Sequence, residues 1–174
     1  MEFINSGITV FGFIVSFFLL RSSFSQEIQK QKTDIYLNQL SEMPMTILKM
    51  LDSVIFKQKP QDDLVNDIRD ISNRIMAYGT ADAVRIAAKM FEFSYNNHDK
   101  TGTEKDIYSI TAIYVLLFCQ LKYDLTNIWI SPENYYRTKI KDYTSEYRES
   151  YLRANDNLVK ELRLDRNLLF TAQW

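Results

Sequence analysis

The feature that most constrains this chain is a run near its N-terminus that contains no charged side chain. Residues 3–20 read FINSGITVFGFIVSFFLL, 18 residues in all. As a helix this run would extend about 27 Å, close to the roughly 30 Å hydrocarbon core of a bilayer. It is apolar all round rather than along one stripe, which is typical of a membrane span and not of a surface helix. We therefore predict a transmembrane anchor over residues 1–21.

Two alternatives compete with this anchor. A cleaved signal peptide is one, because Ser23-Phe24-Ser25 has the small-x-small form of a cleavage site. Against it, no Lys or Arg precedes the apolar run, and Arg21 interrupts the approach to the site. A buried soluble helix is the other alternative.

The charges that flank the run predict its orientation. Glu2 alone precedes it, whereas Arg21, Lys30 and Lys32 follow it, with Glu27 opposing them. Positive charge tends to stay on the cytoplasmic side of a membrane. We expect a single-pass protein whose N-terminus lies outside and whose C-terminal domain lies in the cytoplasm.

A small-xxx-small pair, Gly12 and Ser16, lies within the apolar run. Such pairs let two membrane helices approach closely. The pair is a candidate transmembrane helix contact for homo-oligomerisation, and the alternative is two ordinary small residues that face lipid.

The scarcity of glycine and proline indicates an all-α protein. The 174 residues include four glycines and three prolines, too few for a many-turned β-sandwich or barrel, and 46% are hydrophobic, enough for a core. We predict a helical stalk over residues 22–43 that ends at Met43-Pro44, because proline disfavours helix at the preceding residue. Residues 44–174 should form a bundle of five or six helices.

Apolar residues spaced three and four apart predict the helices of this bundle. One should run over 45–57, one from Pro60 to Gly79 and one over 81–96, with Met76 and Phe91 on their apolar stripes. Gly79 should adopt left-handed geometry and Thr80 should cap the next helix. A central core helix is expected around 110–121, another helix should start at 131–133, and residues 155–157 form a candidate break.

Searches for familiar chemistry give no catalytic, cofactor-binding or metal-binding residue. Four scattered glycines form no phosphate-binding loop, and one histidine with one cysteine forms no zinc cluster. We interpret His98 as an exposed loop residue rather than an acid–base catalyst. Cys119 follows an apolar run, so we expect core packing rather than a reactive thiol beside Lys122.

Four aspartates share one side of a predicted helix: Asp62, Asp63, Asp67 and Asp70. Grouped carboxylates could hold a divalent ion, although such ions prefer oxygens that converge from a loop or several helices. We favour a solvated face, with a metal-dependent hydrolase as the alternative.

Aromatic and basic residues interleave after residue 134. They are Tyr135, Tyr136, Arg137, Lys139, Lys141 and Tyr143. Aromatic residues and arginine are enriched in protein interfaces, so we predict a partner surface here. Amphipathic packing and binding of a polyanion are the alternatives, and a net charge of −1 gives no global case for nucleic acid.

Two stretches carry a resemblance to a known family. They are AYGTADAV at 77–84, and LKYDL at 121–125 followed by ISPE at 130–133. Together they resemble an uncharacterised bacterial family of membrane-anchored α-helical proteins, over roughly residues 64–143. The resemblance implies a bacterial inner-membrane protein, no assigned activity and no transferable site residues.

These observations favour a membrane-tethered, non-enzymatic protein-interaction module without a cofactor. Its expected partners are the lipid bilayer and a protein of unknown identity, with self-association as a further expectation and nucleic acid not expected. The alternative function is an anchored sensor or effector, in stress or phage defence, that acts through oligomerisation.

Overall fold

The computed structural model describes residues 2–55, 61–96, 104–140, 143 and 145–170, and the side chains at 16–31, 33–53, 66–95, 107–140, 143 and 147–170. Every regular element in these ranges is helical, which confirms the predicted all-α class. The chain divides into two compact units, Met1–Asn38 and Gln39–Trp174.

Seven α-helices and a short 3-10 helix make up the described chain. They are α1 (Glu2–Leu40), α2 (Met43–Ile55), α3 (Gln61–Tyr78), α4 (Ala81–Asn96), α5 (Glu104–Thr126), α6 (Pro132–Lys139), α7 (Ser145–Glu161) and the 3-10 helix Arg166–Leu168. Helices α2 to α7 form the predicted bundle within the second unit.

Helix α1 has 39 residues and continues without a break from the predicted anchor into the predicted stalk. Among the side chains that the structure describes, no helix is long and apolar enough to cross a membrane. The side chains of the predicted span up to residue 15 lie outside that set. The anchor is therefore not confirmed and stays a prediction.

Helix α5 is the centre of the bundle. It contacts α2, α4, α6 and α7, and its residues 111–117 and 119–121 are all buried. A helix apolar on every side must be surrounded by protein or lipid, and here four helices surround it. This confirms the predicted central core helix.

Gly79 ends α3, but not in the predicted left-handed geometry. None of the described glycines has a positive φ, and the left-handed residues are Asn127 and Arg163. A Cβ at Gly79 would lie 2.6 Å from the Ile75 carbonyl oxygen and 2.9 Å from the Ile75 Cγ2. The glycine is required because the chain passes too close to Ile75 for any side chain.

The prediction of a break at residues 155–157 is wrong. Helix α7 runs through them, and the interruption lies earlier, between the end of α6 at Lys139 and the start of α7 at Ser145. Asn155 and Asp156 are buried, and their polar groups bond to a later segment of the chain. They hold tertiary structure instead of ending a helix.

Candidate functional site

Helix α6 carries most of the predicted partner surface, and it begins where the sequence predicts. The Ser131 hydroxyl oxygen accepts a hydrogen bond from the Glu133 backbone N–H at 3.3 Å, and Pro132 occupies the first turn. A cap of this kind satisfies one of the free N–H groups at the start of a helix. Helix α6 is therefore fixed at its N-terminus.

The two tyrosines of α6 point into the core rather than to solvent. Tyr135 is 7% exposed and Tyr136 is fully buried. The Tyr136 ring centroid lies 4.7 Å from that of Tyr151 and 5.4 Å from that of Phe170. Burial raises the pKa of both α6 phenols, so both stay protonated. The predicted surface thus loses its first two members, because they are packing residues of an aromatic cluster.

The charged members of the predicted surface are engaged in ion pairs. Arg137 pairs with Glu133 at 3.2 Å, and Lys139 pairs with Asp52 of α2 at 3.2 Å. The Tyr143 hydroxyl lies 3.4 Å from the Glu133 carboxylate. Lys141 lies outside the described residues. The Lys139 pair ties α6 to α2, and both described basic residues of the predicted surface already have a carboxylate partner.

Glu133 is the hub of this charge network. Its carboxylate oxygen Oε1 accepts from the Arg148 Nε at 2.8 Å and from Arg137. Burial opposes ionisation of Glu133, but the Arg148 and Arg137 guanidinium groups outweigh it and hold the pKa of Glu133 below its ordinary value. Burial, followed by the Glu133 charge, raises the pKa of Tyr143 to about 12.

The predicted acidic face lies partly on a groove between α2 and α3. Asp67 and Asp70 line this groove of about 440 Å³ together with Lys49 and Arg74. The side chains of Asp62 and Asp63 lie outside the described set. Among the described side chains no group of three His, Cys, Asp or Glu residues could hold a metal ion. The groove mixes both signs of charge.

The remaining candidates fall into two groups. Cys119 is fully buried on α5, and burial raises the pKa of its thiol, which confirms core packing. Ser16 is exposed on α1, whereas His98 lies outside the described residues and Gly12 outside the positions whose burial the structure describes. The contact between two membrane helices that Gly12 and Ser16 predict therefore stays a prediction.

The two stretches that carry the family resemblance meet in space. The Thr80 hydroxyl donates to the Asp124 carboxylate at 2.7 Å, and the Gln120 amide donates to the same carboxylate at 2.8 Å. Thr80 also accepts from the Ala83 backbone N–H at 3.4 Å, as the predicted cap does. These bonds join the start of α4 to the end of α5, which is a structural role.

An apolar groove between α3 and α4 was not predicted from the sequence. Its volume is about 310 Å³ and its lining is Arg69, Ser72, Asn73, Met76, Ala87, Ala88 and Phe91. Met76 is 62% exposed and Phe91 is 40% exposed, so these two members of the predicted apolar stripes lie at the surface. The small alanines of α4 leave the space between the two helices.

Ser72 adds a polar group to this α3–α4 groove. It is 9% exposed, and its Oγ has no hydrogen-bond partner among the described atoms. A buried hydroxyl without a partner costs about 1–3 kcal/mol. A bound ligand or peptide that offered a polar atom to Ser72 would recover part of that cost.

No protein-family model, curated protein or solved structure matches the chain. The resemblance over roughly residues 64–143 therefore stays a prediction, and no role of any residue is taken from another protein.

Proposed function

We propose that the protein is a membrane-tethered, non-enzymatic interaction module that receives its partner in the α3–α4 groove. The observation that carries the proposal is the exposure of Met76 (62%) and Phe91 (40%) in the lining of a cleft that also includes Ser72, whose hydroxyl has no hydrogen-bond partner among the described atoms. Exposed apolar groups that rim a concave surface are typical of docking sites.

The chemistry of the groove specifies the kind of partner that fits. Its apolar rim favours leucine or methionine side chains of an amphipathic helix, which enter such grooves at a spacing of three and four residues. Arg69 lies in the lining and makes no ion pair with another described residue. A carboxylate of the partner would pair with it. The proposed occupant is therefore an acidic amphipathic helix of another protein.

The proposed membrane tether is supported by the sequence and by one local feature of α1. Phe17 to Leu20, at the end of the apolar run, are 63–70% exposed. Four consecutive large apolar side chains in water are unfavourable, at about 25 cal/mol for each Å² of apolar surface. Insertion of residues 3–20 into a bilayer would remove this cost. The flanking charges support a cytoplasmic position of the bundle.

Site-specific photo-crosslinking tests the docking surface. The photoreactive residue is placed in the full-length chain at Phe91, in the groove, and at Tyr147, a control on α7 with the same 40% exposure. We expect a crosslinked partner at Phe91 and none at Tyr147. Equal crosslinking at both positions, or at Tyr147 alone, would contradict the assignment.

A matched pair of substitutions gives a second test. Ala88→Asp places a charge in the groove lining, whereas Tyr95→Asp places the same charge on the same helix at a residue that is 77% exposed and outside the lining. Partner recovery should fall by about tenfold or more for Ala88→Asp alone, because the added carboxylate would repel an acidic partner and compete with it for Arg69; tenfold corresponds to about 1.4 kcal/mol. Circular dichroism checks that both variants keep their helix content.

A further inference from the structure

The stalk part of α1 carries an exposed apolar seam on one face. Phe24 is 68% exposed, Ile28 is 37% exposed and Ile35 is 53% exposed. Residues four and seven apart lie on the same side of a helix. Within the described side chains these three apolar groups therefore form a seam that the chain itself leaves uncovered.

The spacing of the seam is that of a coiled coil. Phe24, Ile28, Gln31, Ile35 and Asn38 follow one another at intervals of four, three, four and three residues. This alternation places the two isoleucines at a positions and the others at d positions of a heptad. Isoleucine at a is one of the features that favour a parallel two-stranded coil, whereas polar Gln31 and Asn38 at d lower the stability of the seam.

The face opposite the seam is polar over its first part, where the residues at b, c and f are Ser22, Ser23, Gln26, Gln29, Lys30 and Thr33. Its last b and c positions hold Tyr36 and Leu37. With the acids Glu27 and Asp34 beside the seam, the segment lacks the basic polar face of helices that lie on a membrane surface. This composition favours a protein partner over a lipid surface.

The flanking charges identify that partner as a second copy of the chain. Glu27 occupies a g position, and Lys32 follows it in the sequence by five residues, at an e position. In a parallel, in-register pair, each g residue meets the e residue of the next heptad on the other helix. The register of two copies thus sets position 27 of each copy, an acid in the sequence, opposite position 32 of the other, a base, once on each side of the seam.

We propose that residues 24–38 of α1 pair with the same residues of a second copy as a parallel, in-register coiled coil. The contact is separate from the α3–α4 groove and does not depend on it. If the anchor inserts in a bilayer, both copies share one membrane, which raises their effective concentration. That would support a seam of only two heptads.

Cysteine crosslinking of the full-length chain in its membrane or in detergent tests the register. In a Cys119→Ala background, single cysteines replace Ile28, Ile35 or, as the control at an f position, Gln26. Disulfide dimers should be about tenfold more abundant from the two seam positions than from Gln26, because facing a residues are close and f residues point apart. Equal yields at all three positions, or no dimer at any, would overturn the proposal.

Charge exchange tests the parallel arrangement. In the Ile28→Cys chain, Glu27→Lys or Lys32→Glu alone places like charges opposite each other and should lower the dimer yield about threefold or more. The double variant restores opposite charges and should return the yield to within about twofold of the parent. A double variant that dimerises no better than the single variants would refute the in-register parallel pair.

The groove variant Ala88→Asp separates this proposal from the proposed function. It should leave the crosslinking yield at Ile28→Cys unchanged, because the seam and the groove share no residue. A loss of dimer in that variant would show that association occurs through the bundle and would overturn the coiled coil.

Discussion

Asp156→Ala should destabilise the bundle by releasing the segment that follows α7. The Asp156 carboxylate is 8% exposed, and its Oδ1 accepts from the Phe170 backbone N–H at 3.1 Å. Beside it, the Asn155 amide donates to that carboxylate at 3.2 Å and to the Leu168 carbonyl at 2.8 Å. Two adjacent residues of one helix thus hold both ends of the segment 168–170.

The expected loss in the free energy of unfolding follows from the groups that Asp156→Ala leaves without a hydrogen-bond partner. The Phe170 N–H would lose its acceptor in a buried position, which costs about 1–3 kcal/mol, and a hydrogen bond to a charged group contributes about 1.5–3 kcal/mol. These ranges describe one interaction and are not added, so we expect a loss of about 3 kcal/mol. At about 2–4 °C for each kcal/mol, the melting temperature should fall by about 6–12 °C.

The assay is thermal and urea unfolding followed by circular dichroism, with Asp156→Asn as the matched control. Asparagine keeps the oxygen that accepts from Phe170, so its loss should be about 1 kcal/mol. A fall below about 0.5 kcal/mol for Asp156→Ala, or equal losses for the two variants, would refute the role of the oxygen.

A double-mutant cycle tests whether Asp156 acts through the segment. Phe170 is 7% exposed and its ring packs on Tyr136, so Phe170→Ala alone should cost about 3–5 kcal/mol. Once that ring is absent, removing Asp156 releases little more. The double variant should therefore fall short of the sum by about 1 kcal/mol or more. Strict additivity would show that Asp156 stabilises something else.

Three further substitutions have expected outcomes that the same unfolding measurements check. Gly79→Ala should destabilise by about 1–3 kcal/mol, because its Cβ would meet the Ile75 carbonyl oxygen at 2.6 Å; unchanged stability would contradict that contact. Glu133→Gln should cost about 1–2 kcal/mol near pH 7, since the charge-assisted bond from Arg148 is lost. Folding lowers the pKa of Glu133 below its ordinary value of 4.5, so the stability difference between the two proteins is full above the unfolded pKa and disappears as the pH falls through the folded pKa; a difference that persisted at lower pH would contradict the network. Tyr136→Phe should be neutral or stabilise by up to about 1 kcal/mol, because its buried hydroxyl has no hydrogen-bond partner among the described residues; a loss above that size would reveal a partner.

Local signals in the sequence predicted the starts and ends of the helices well. Ser131, Pro132 and Glu133 combine a capping hydroxyl, a fixed φ and an acid in the first turn, and α6 begins at Pro132. Met43-Pro44 likewise predicted the interruption before α2. These signals act within one or two turns of backbone, so the residues that set them are neighbours in the chain.

The prediction for residues 155–157 was wrong because their hydrogen-bond partners lie far along the chain, beyond the reach of such local signals. Asn155 and Asp156 are residue types that often end helices because they bond their own backbone. Here they bond to Leu168 and Phe170, which lie 13 and 14 residues later in the chain. The partner satisfies the polar groups without local distortion, and the helix continues through them. Composition alone does not distinguish these two outcomes.

Tyr135 and Tyr136 illustrate a second limit of sequence reasoning. A tyrosine beside basic residues fits an interface and a core equally well, because its ring is apolar and its hydroxyl is polar. Whether Tyr136 lies in the core or at the surface depends on Tyr151 and Phe170. Their rings reach Tyr136 only after α7 and the following segment fold back onto α6. Exposure therefore depends on that packing and cannot be predicted from the pattern of residues 135–143 itself.

The α3–α4 groove shows the converse case, in which a side chain expected in the core remains at the surface. Met76 and Phe91 satisfy the helical spacing. That spacing specifies which side of a helix is apolar, but it does not specify how much of that side a neighbouring helix covers. Ala87 is buried, and with Ala88 it brings little volume to the contact between the two helices. The cleft between Met76 and Phe91 therefore stays open. Filling it should stabilise the bundle if the cleft is only a packing defect, whereas the proposed docking function requires that such a variant lose its partner.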